Sequence, residues 1–305
     1  MRLRTSAALA LALAALVARM LAVRRAERAA AVRLPLGDGG VVRGAEPIDL
    51  AGDPGGRAVL LMHGFGDTPQ TLRYLSAHLH ARGWGVRAPL LPGHGRTLRA
   101  FAGSRGAQWI DAARGEYTAL CARHGAGRVA VVGLSMGGAL ASVVAAEAGH
   151  ALPALVLLAP YIVMPPGVRR VACVAPALDL VLPYLSGRSA RSIHDPAERL
   201  RSLAYGATPL RLVGELYAVV RAAQAALPCV QAPALVVNSR TDYRIPRDAA
   251  EAAFAALGST YKELVWLDGC GHVVTVDYGR ERVFDAVAAW LEACVPAAPA
   301  PPARA

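Results

Sequence analysis

Six short apolar runs, each ended by turn residues and spaced by stretches of helical periodicity, set the architecture of this chain. RAVLLMHG (57–64), GVRAPLLPG (85–93), GRVAVVGLS (127–135), ALVLLAP (154–160), ALVVNSR (234–240) and KELVWLD (262–268) each read as a buried strand. Helical patterns lie over 68–83, 107–125, 136–149, 246–258 and 279–294. Strands joined through crossover helices run parallel, so the fold class is α/β, a mostly parallel sheet flanked by helices on both faces. Stretches near 32–36 and 41–50 are expected to add edge strands, which gives a core of 32–160 and 232–294. The rhythm stops at 161–231, where Pro165, Pro166, Pro176, Pro183, Pro196 and Pro209 interrupt a stretch without a buried-strand run. That segment reads as a mostly helical insertion before the penultimate strand. It would overhang the carboxyl ends of the strands, where open α/β sheets bind ligands, and so form a lid.

Charge argues against a nucleic-acid partner. The chain of 305 residues has a net charge of +11, but residues 1–33 alone supply +6 of it. Nearly every cation is Arg, Lys262 being the sole lysine, and no basic stripe carries interleaved aromatics. Those first residues place Arg2 and Arg4 before SAALALALAALVA (6–18), a pattern that resembles a signal peptide or signal anchor. The run is short for a membrane span, Arg19 interrupts it, and no small-x-small cleavage site follows. Residues 1–30 are therefore expected to export the chain or associate it with a membrane, the alternative being a cytoplasmic helix. The segment VPAAPAPPARA (295–305) is expected to be disordered. The five cysteines, 121, 173, 229, 270 and 294, show no metal-ligand spacing. Buried free thiols are the expectation, and an exported chain would allow a Cys173–Cys229 bridge.

Chemistry concentrates at GLSMGG (133–138). Ser135 ends a buried strand and opens a helix, and Gly133 and Gly137 remove bulk on either side of a sharp turn. A serine hydroxyl needs a base, and the base needs an orienting acid. His272 follows the last strand between Gly271 and Val273, and Asp242 lies two residues past the preceding strand. Asp248 falls inside the next helix, and Asp268 and Asp277 flank His272 without occupying a second strand's carboxyl end. Ser135, Asp242 and His272 are thus the expected catalytic residues. Oxyanion donors are expected from the backbone N–H groups of Met136, directly after Ser135, and of Phe65 in HGFGDTP (63–69). His63 is expected to hold that loop by hydrogen bonds.

RGAEPI (43–48), the run from LLMHGFGDTP to PGHG (60–95), GLSMGG, LVVNSRTDYRIP (235–246) and DGCGHVVTVDYGRERVFDAVAAWLE (268–292) together resemble the bacterial carboxylesterase and monoacylglycerol-lipase group of the α/β-hydrolase fold. The resemblance spans about residues 43–292 and is weakest across 161–231. It implies ester hydrolysis through an acyl-enzyme, a small lipid-like ester as substrate, and neither metal nor organic cofactor. The HGF form of the loop implies medium or longer acyl chains, and His94 in PGHG belongs to a structural loop. Phe65, Tyr161, Ile162, Met164, Leu178, Leu182 and Tyr217 are expected to line the acyl tunnel. Two other readings stay open: acyl transfer or other hydrolase chemistry on the same fold, and a non-catalytic binding module, which an intact Ser–His–Asp set disfavours.

Overall fold

The computed structural model describes residues 2–186 and 192–296. A helix α1 (Arg2–Arg33) leads into β1 (Ile48–Leu50) and β2 (Ala58–Met62). Next come α2 (Arg73–His80), β3 (Gly85–Ala88), α3 (Leu98–Gly103), α4 (Gly106–His124), β4 (Val129–Leu134), α5 (Met136–Ala148) and β5 (Leu155–Leu158). The insertion holds α6 (Pro166–Leu178), β6 (Tyr184–Ser186), α7 (Pro196–Arg201), β7 (Ala207–Pro209) and α8 (Leu210–Ala226). Finally β8 (Ala234–Ser239), α9 (Arg247–Ala256), β9 (Lys262–Leu267) and α10 (Arg280–Cys294) are the last elements of the described residues.

Seven strands form one sheet in the order β1-β3-β2-β4-β5-β8-β9, parallel except for β1, which runs antiparallel to β3. Side-chain alternation divides the core. Leu60, Met62, Val129 and Val131 face Trp109 of α4 and the buried face of α5, whereas Val59, Leu61, Ala130 and Val132 face Leu75 and Leu79 of α2 and Val287 and Leu291 of α10. Burial on both faces explains why β2 and β4 read as unbroken apolar runs.

The structure sharpens several of these expectations. Residues 32–33 finish α1 rather than starting a strand, and beyond them only an isolated antiparallel bridge joins Leu36 to Val42. Within 41–50 the strand is confined to Ile48–Leu50. The insertion is not wholly a lid: Val219, Val220 and Ala223 of α8 are buried in the same cluster as residues of α4 and α5. It also carries a small antiparallel pair, β6 with β7. Val295 is buried against the end of α10 and Pro296 is exposed, while 297–305 of the expected disordered tail lie outside the described residues. All five cysteines are free, but Cys173 and Cys229 are exposed and only Cys270 is fully buried. Among the described residues, no helix is long and apolar enough to cross a membrane.

Candidate active site

Ser135 sits at a sharp bend between β4 and α5. Its φ of 56° and ψ of −117° are a conformation that non-glycine residues adopt only under constraint, at a cost of about 1–3 kcal/mol. The constraint comes from both sides. The Ser135 N–H donates to the Leu158 carbonyl of β5 at 2.9 Å, and its carbonyl accepts from Gly138 N–H at 2.9 Å and Tyr161 N–H at 3.0 Å. Packing leaves no room at the flanking glycines: a Cβ on Gly133 would lie 2.2 Å from the Gly137 carbonyl oxygen, and one on Gly137 would lie 2.1 Å from that of Met62. The turn lifts Oγ off the end of β4.

The three side chains named from the sequence meet there in one hydrogen-bonded chain. Ser135 Oγ lies 2.8 Å from His272 Nε2, and His272 Nδ1 lies 2.7 Å from Asp242 Oδ2. Asp242 Oδ1 accepts from the N–H groups of Arg244 at 2.7 Å and Ile245 at 3.1 Å, so the carboxylate is fixed before it meets the ring. A carboxylate only accepts, which places the imidazole proton on Nδ1 and leaves the Nε2 lone pair facing the serine hydroxyl. All three residues are buried. The loop carrying His272 is tied to the end of β8, where Ser239 and Thr241 hydroxyls donate to the Cys270 carbonyl at 2.5 and 2.7 Å. Burial pushes the Cys270 thiol up, away from the reactive thiolate.

Met136 is the first residue of α5, so its N–H has no partner within the helix and sits beside the serine. Gly64 adjoins Ser135 on the other side, where a Cβ would come within 3.3 Å of the serine Cβ, and Phe65 follows it. Phe65 packs edge-on to Trp109, with ring centres 5.8 Å apart. His63 holds the loop: Nδ1–H donates to the Gly64 carbonyl at 2.9 Å, and Nε2 accepts from Leu91 N–H at 3.1 Å. Its ring lies 5.0 Å from that of His94. Burial drives His63 down to about 4 and His94 well below its ordinary value, so both rings are neutral at pH 7.

A cavity of about 400 Å³ opens over this group. Phe65, Met136 and Tyr161 line it, but the other residues expected there do not. Ile162 and Met164 are buried in the core cluster, Tyr217 packs against that cluster, and Leu178 and Leu182 are exposed. Phe101, Tyr205, Val213 and Leu216 form the apolar wall instead. Polar groups gather near His272: Asp67, Thr71, Ser192 and Arg244, the last donating through Nε to Ser192 Oγ at 2.8 Å. Asp67 and Arg244 each belong to a motif singled out from the sequence, HGFGDTP and TDYRIP, and position in those strand-end loops was the signal for them. Among the described residues, no group of three or more His, Cys, Asp or Glu side chains is arranged to hold a metal ion.

A strained serine on a strand-to-helix turn, hydrogen-bonded to a histidine from the loop after β9 that is itself held by an aspartate from the loop after β8, places the molecule among the α/β-hydrolases. The model of the serine aminopeptidase S33 family, Hydrolase_4, matches residues 54–278, and the chain belongs to that family. A thermostable monoacylglycerol lipase of Bacillus sp. (strain H-257) is 29% identical over 256 residues, which is 80% of this chain and 93% of the relative. A carboxylesterase of Bacillus subtilis (strain 168) is 25% identical over 241 residues, 78% of this chain and 93% of the relative. A solved structure from the metagenome-derived lipolytic enzymes LipS and LipT superposes with a TM-score of 0.75 at 29% identity, covering 83% of this chain and 99% of that one. With these relatives the protein is a carboxylesterase- or lipase-like hydrolase.

Proposed function

We propose that the protein hydrolyses medium-chain or monoacylglycerol-type carboxylic esters through an acyl-enzyme on Ser135. The observation that carries this reading is the unbroken chain from Asp242 through His272 to Ser135 Oγ, buried beneath a cavity with an apolar wall. His272 Nε2 takes the hydroxyl proton as Oγ attacks the ester carbonyl, and Asp242 stabilises the imidazolium. The oxyanion is met by the N–H groups of Met136 and Phe65. Collapse of the tetrahedral intermediate expels the alcohol, which leaves with the proton from His272. Water, deprotonated by His272, then attacks the acyl-enzyme and releases the acid and Ser135. Phe101, Val213 and Leu216 offer an apolar surface to an acyl chain, which supports a lipid-like ester, as do the names of the relatives.

Hydrolysis of p-nitrophenyl esters and labelling by a fluorophosphonate test the mechanism. Ser135→Ala is expected to lower kcat by at least about 10⁴-fold and to abolish labelling, since removing a nucleophile leaves only the binding and oxyanion contributions. Equal turnover by variant and wild type would overturn the acyl-enzyme. A chain-length series from acetate to palmitate, run beside monoacylglycerols, tests the substrate class.

A further inference from the structure

Asp277 takes no part in the chemistry above, yet its buried carboxylate is saturated with backbone donors. Oδ2 accepts the N–H of Gly271 at 2.7 Å and of His194 at 2.7 Å, and Oδ1 accepts those of Asp195 at 2.8 Å and Tyr278 at 2.9 Å. Gly271 is the residue immediately before His272. His194 and Asp195 belong to the insertion, and Asp195 in turn caps α7 by accepting the N–H groups of Ala197 and Glu198. On the other side of the histidine, Val273 N–H donates to the Ser192 carbonyl at 3.0 Å. The backbone of His272 is thus bracketed by two connections to the same lid segment, one direct and one through Asp277. The approach has no slack: a Cβ on Gly271 would lie 2.6 Å from the Ser192 carbonyl oxygen and 3.1 Å from Asp277 Oδ2.

The imidazole must meet Asp242 and Ser135 at 2.7 and 2.8 Å at once, and its direction is set by the backbone that carries it. A misplacement of about 1 Å at such a group costs about 10²-fold in rate. We propose that Asp277 is a positioning residue: its carboxylate couples the lid segment 192–195 to the His272 loop, so that the imidazole is aligned between Asp242 and Ser135 only while that segment is seated. The inference rests on the reading of His272 as the catalytic base.

Asp277→Asn is the test, because it keeps the shape but opposes an amide NH₂ to two of the four backbone N–H groups. Active sites are counted by fluorophosphonate titration, and kcat and KM per titrated site are measured on p-nitrophenyl acetate and octanoate across pH 5–9. The expected result is a fall in kcat of about 10–100-fold on both esters, with KM within about threefold of wild type. The acid limb of the kcat/KM profile should also move to lower pH, since an imidazole displaced from Asp242 has its protonated form stabilised less. A variant with wild-type kcat per site and an unmoved acid limb, whatever its melting temperature, overturns the coupling alone. A wild-type enzyme that neither labels nor turns over takes the acyl-enzyme reading down with it. Should the variant not fold, hydrogen exchange on the wild type decides: the amides of Gly271, His194 and Asp195 should open together, and independent opening rates overturn the proposal.

Discussion

Asp67 and His63 stand two residues either side of Phe65, and burial moves their proton affinities in opposite senses. Burial raises the Asp67 carboxyl to about 6, against the pull of Thr68 N–H, the Thr71 hydroxyl and the charges of Arg73 and Arg244. It lowers His63 to about 4. The folded protein therefore holds the Asp67 proton between about pH 4 and 6, where the unfolded chain has released it, so this stabilisation is lost as pH rises through 6. For His63 the unfolded chain is the one that binds the proton, between about pH 4 and 6.5, so stability is gained over that window as pH rises. Each contribution is on the order of 3 kcal/mol. Replacing Asp67 with Asn keeps an acceptor for Thr68 N–H and removes only the first effect. The variant should gain on wild type by about 2 kcal/mol between pH 4.5 and 7.5, read from urea unfolding at three pH values. A constant gap would show that Asp67 does not titrate differently in the folded state. Neither group announces this behaviour in the sequence, because burial of a loop carboxyl depends on what the insertion lays over it. The positions of Ser135, Asp242 and His272 were legible for the opposite reason. Ser135 follows β4 directly, Asp242 and His272 stand three and five residues past the ends of β8 and β9, and neighbouring glycines or these short distances leave little freedom.

The parallel strands and the helices between them were readable because a strand buried on both faces and an amphipathic helix each impose their own period. Val32, Leu34 and Leu36 alternate like a strand, yet the alanine-rich run before them carries the helix on to Arg33, and Pro35 ends it. The lining of the cavity was less legible for a related reason. Leu212, Leu216, Val219 and Val220 in α8 form a stripe at helical spacing, but the stripe does not say which residues meet α5 and which meet the cavity. Val213 and Leu216 near its start face the cavity, while Val219 and Val220 are core. The six residues of α7 are too few to hold a helix unaided, so docking must do it. Glu198 supplies the dock: buried on α7, it accepts from Tyr74 Oη at 2.9 Å and pairs with Arg73 of α2 and Arg201. Glu198→Ala is expected to raise KM for p-nitrophenyl octanoate about 3–10-fold, to lower the melting temperature by a few degrees, and to leave KM for the acetate near wild type. An equal KM increase for both esters would show that α7 does not bear on the acyl end.

Charge and apolar surface both concentrate at the N-terminal helix, where export or membrane association competes with a cytoplasmic helix, and its two halves meet the body differently. Leu13, Leu16, Val17, Met20 and Leu21 are exposed, and at that level half-exposed Arg19 pairs with the Asp179 carboxylate at the end of α6 at 3.0 Å and donates through Nε to its carbonyl at 3.0 Å. Such a pair contributes about 0–1 kcal/mol. The other end is built in. Ala30 and Leu34 are buried in the cluster that holds Leu98, Phe101 and Tyr205, and the Arg33 guanidinium reaches Gly206, where a Cβ would lie 3.1 Å from Nη1. Phe101 and Tyr205 are stacked, with ring centres 4.9 Å apart, and both line the cavity over Ser135. Packing from α1 thus continues through Tyr205 to the apolar wall of the cavity, and the two halves should separate in truncation. A chain of residues 22–305 should keep its unfolding free energy within about 1 kcal/mol of the full chain and its KM for p-nitrophenyl octanoate unchanged. A chain of residues 35–305 exposes what Ala30 and Leu34 cover, loses about 2–4 kcal/mol, and should show a raised KM for the octanoate as Tyr205 loses its backing. Melting curves and ester kinetics on the two truncations make the comparison. If both behave like the full chain, α1 is an appendage and the acyl wall is complete without it; if both lose equally, the exposed half contributes more than its contacts account for.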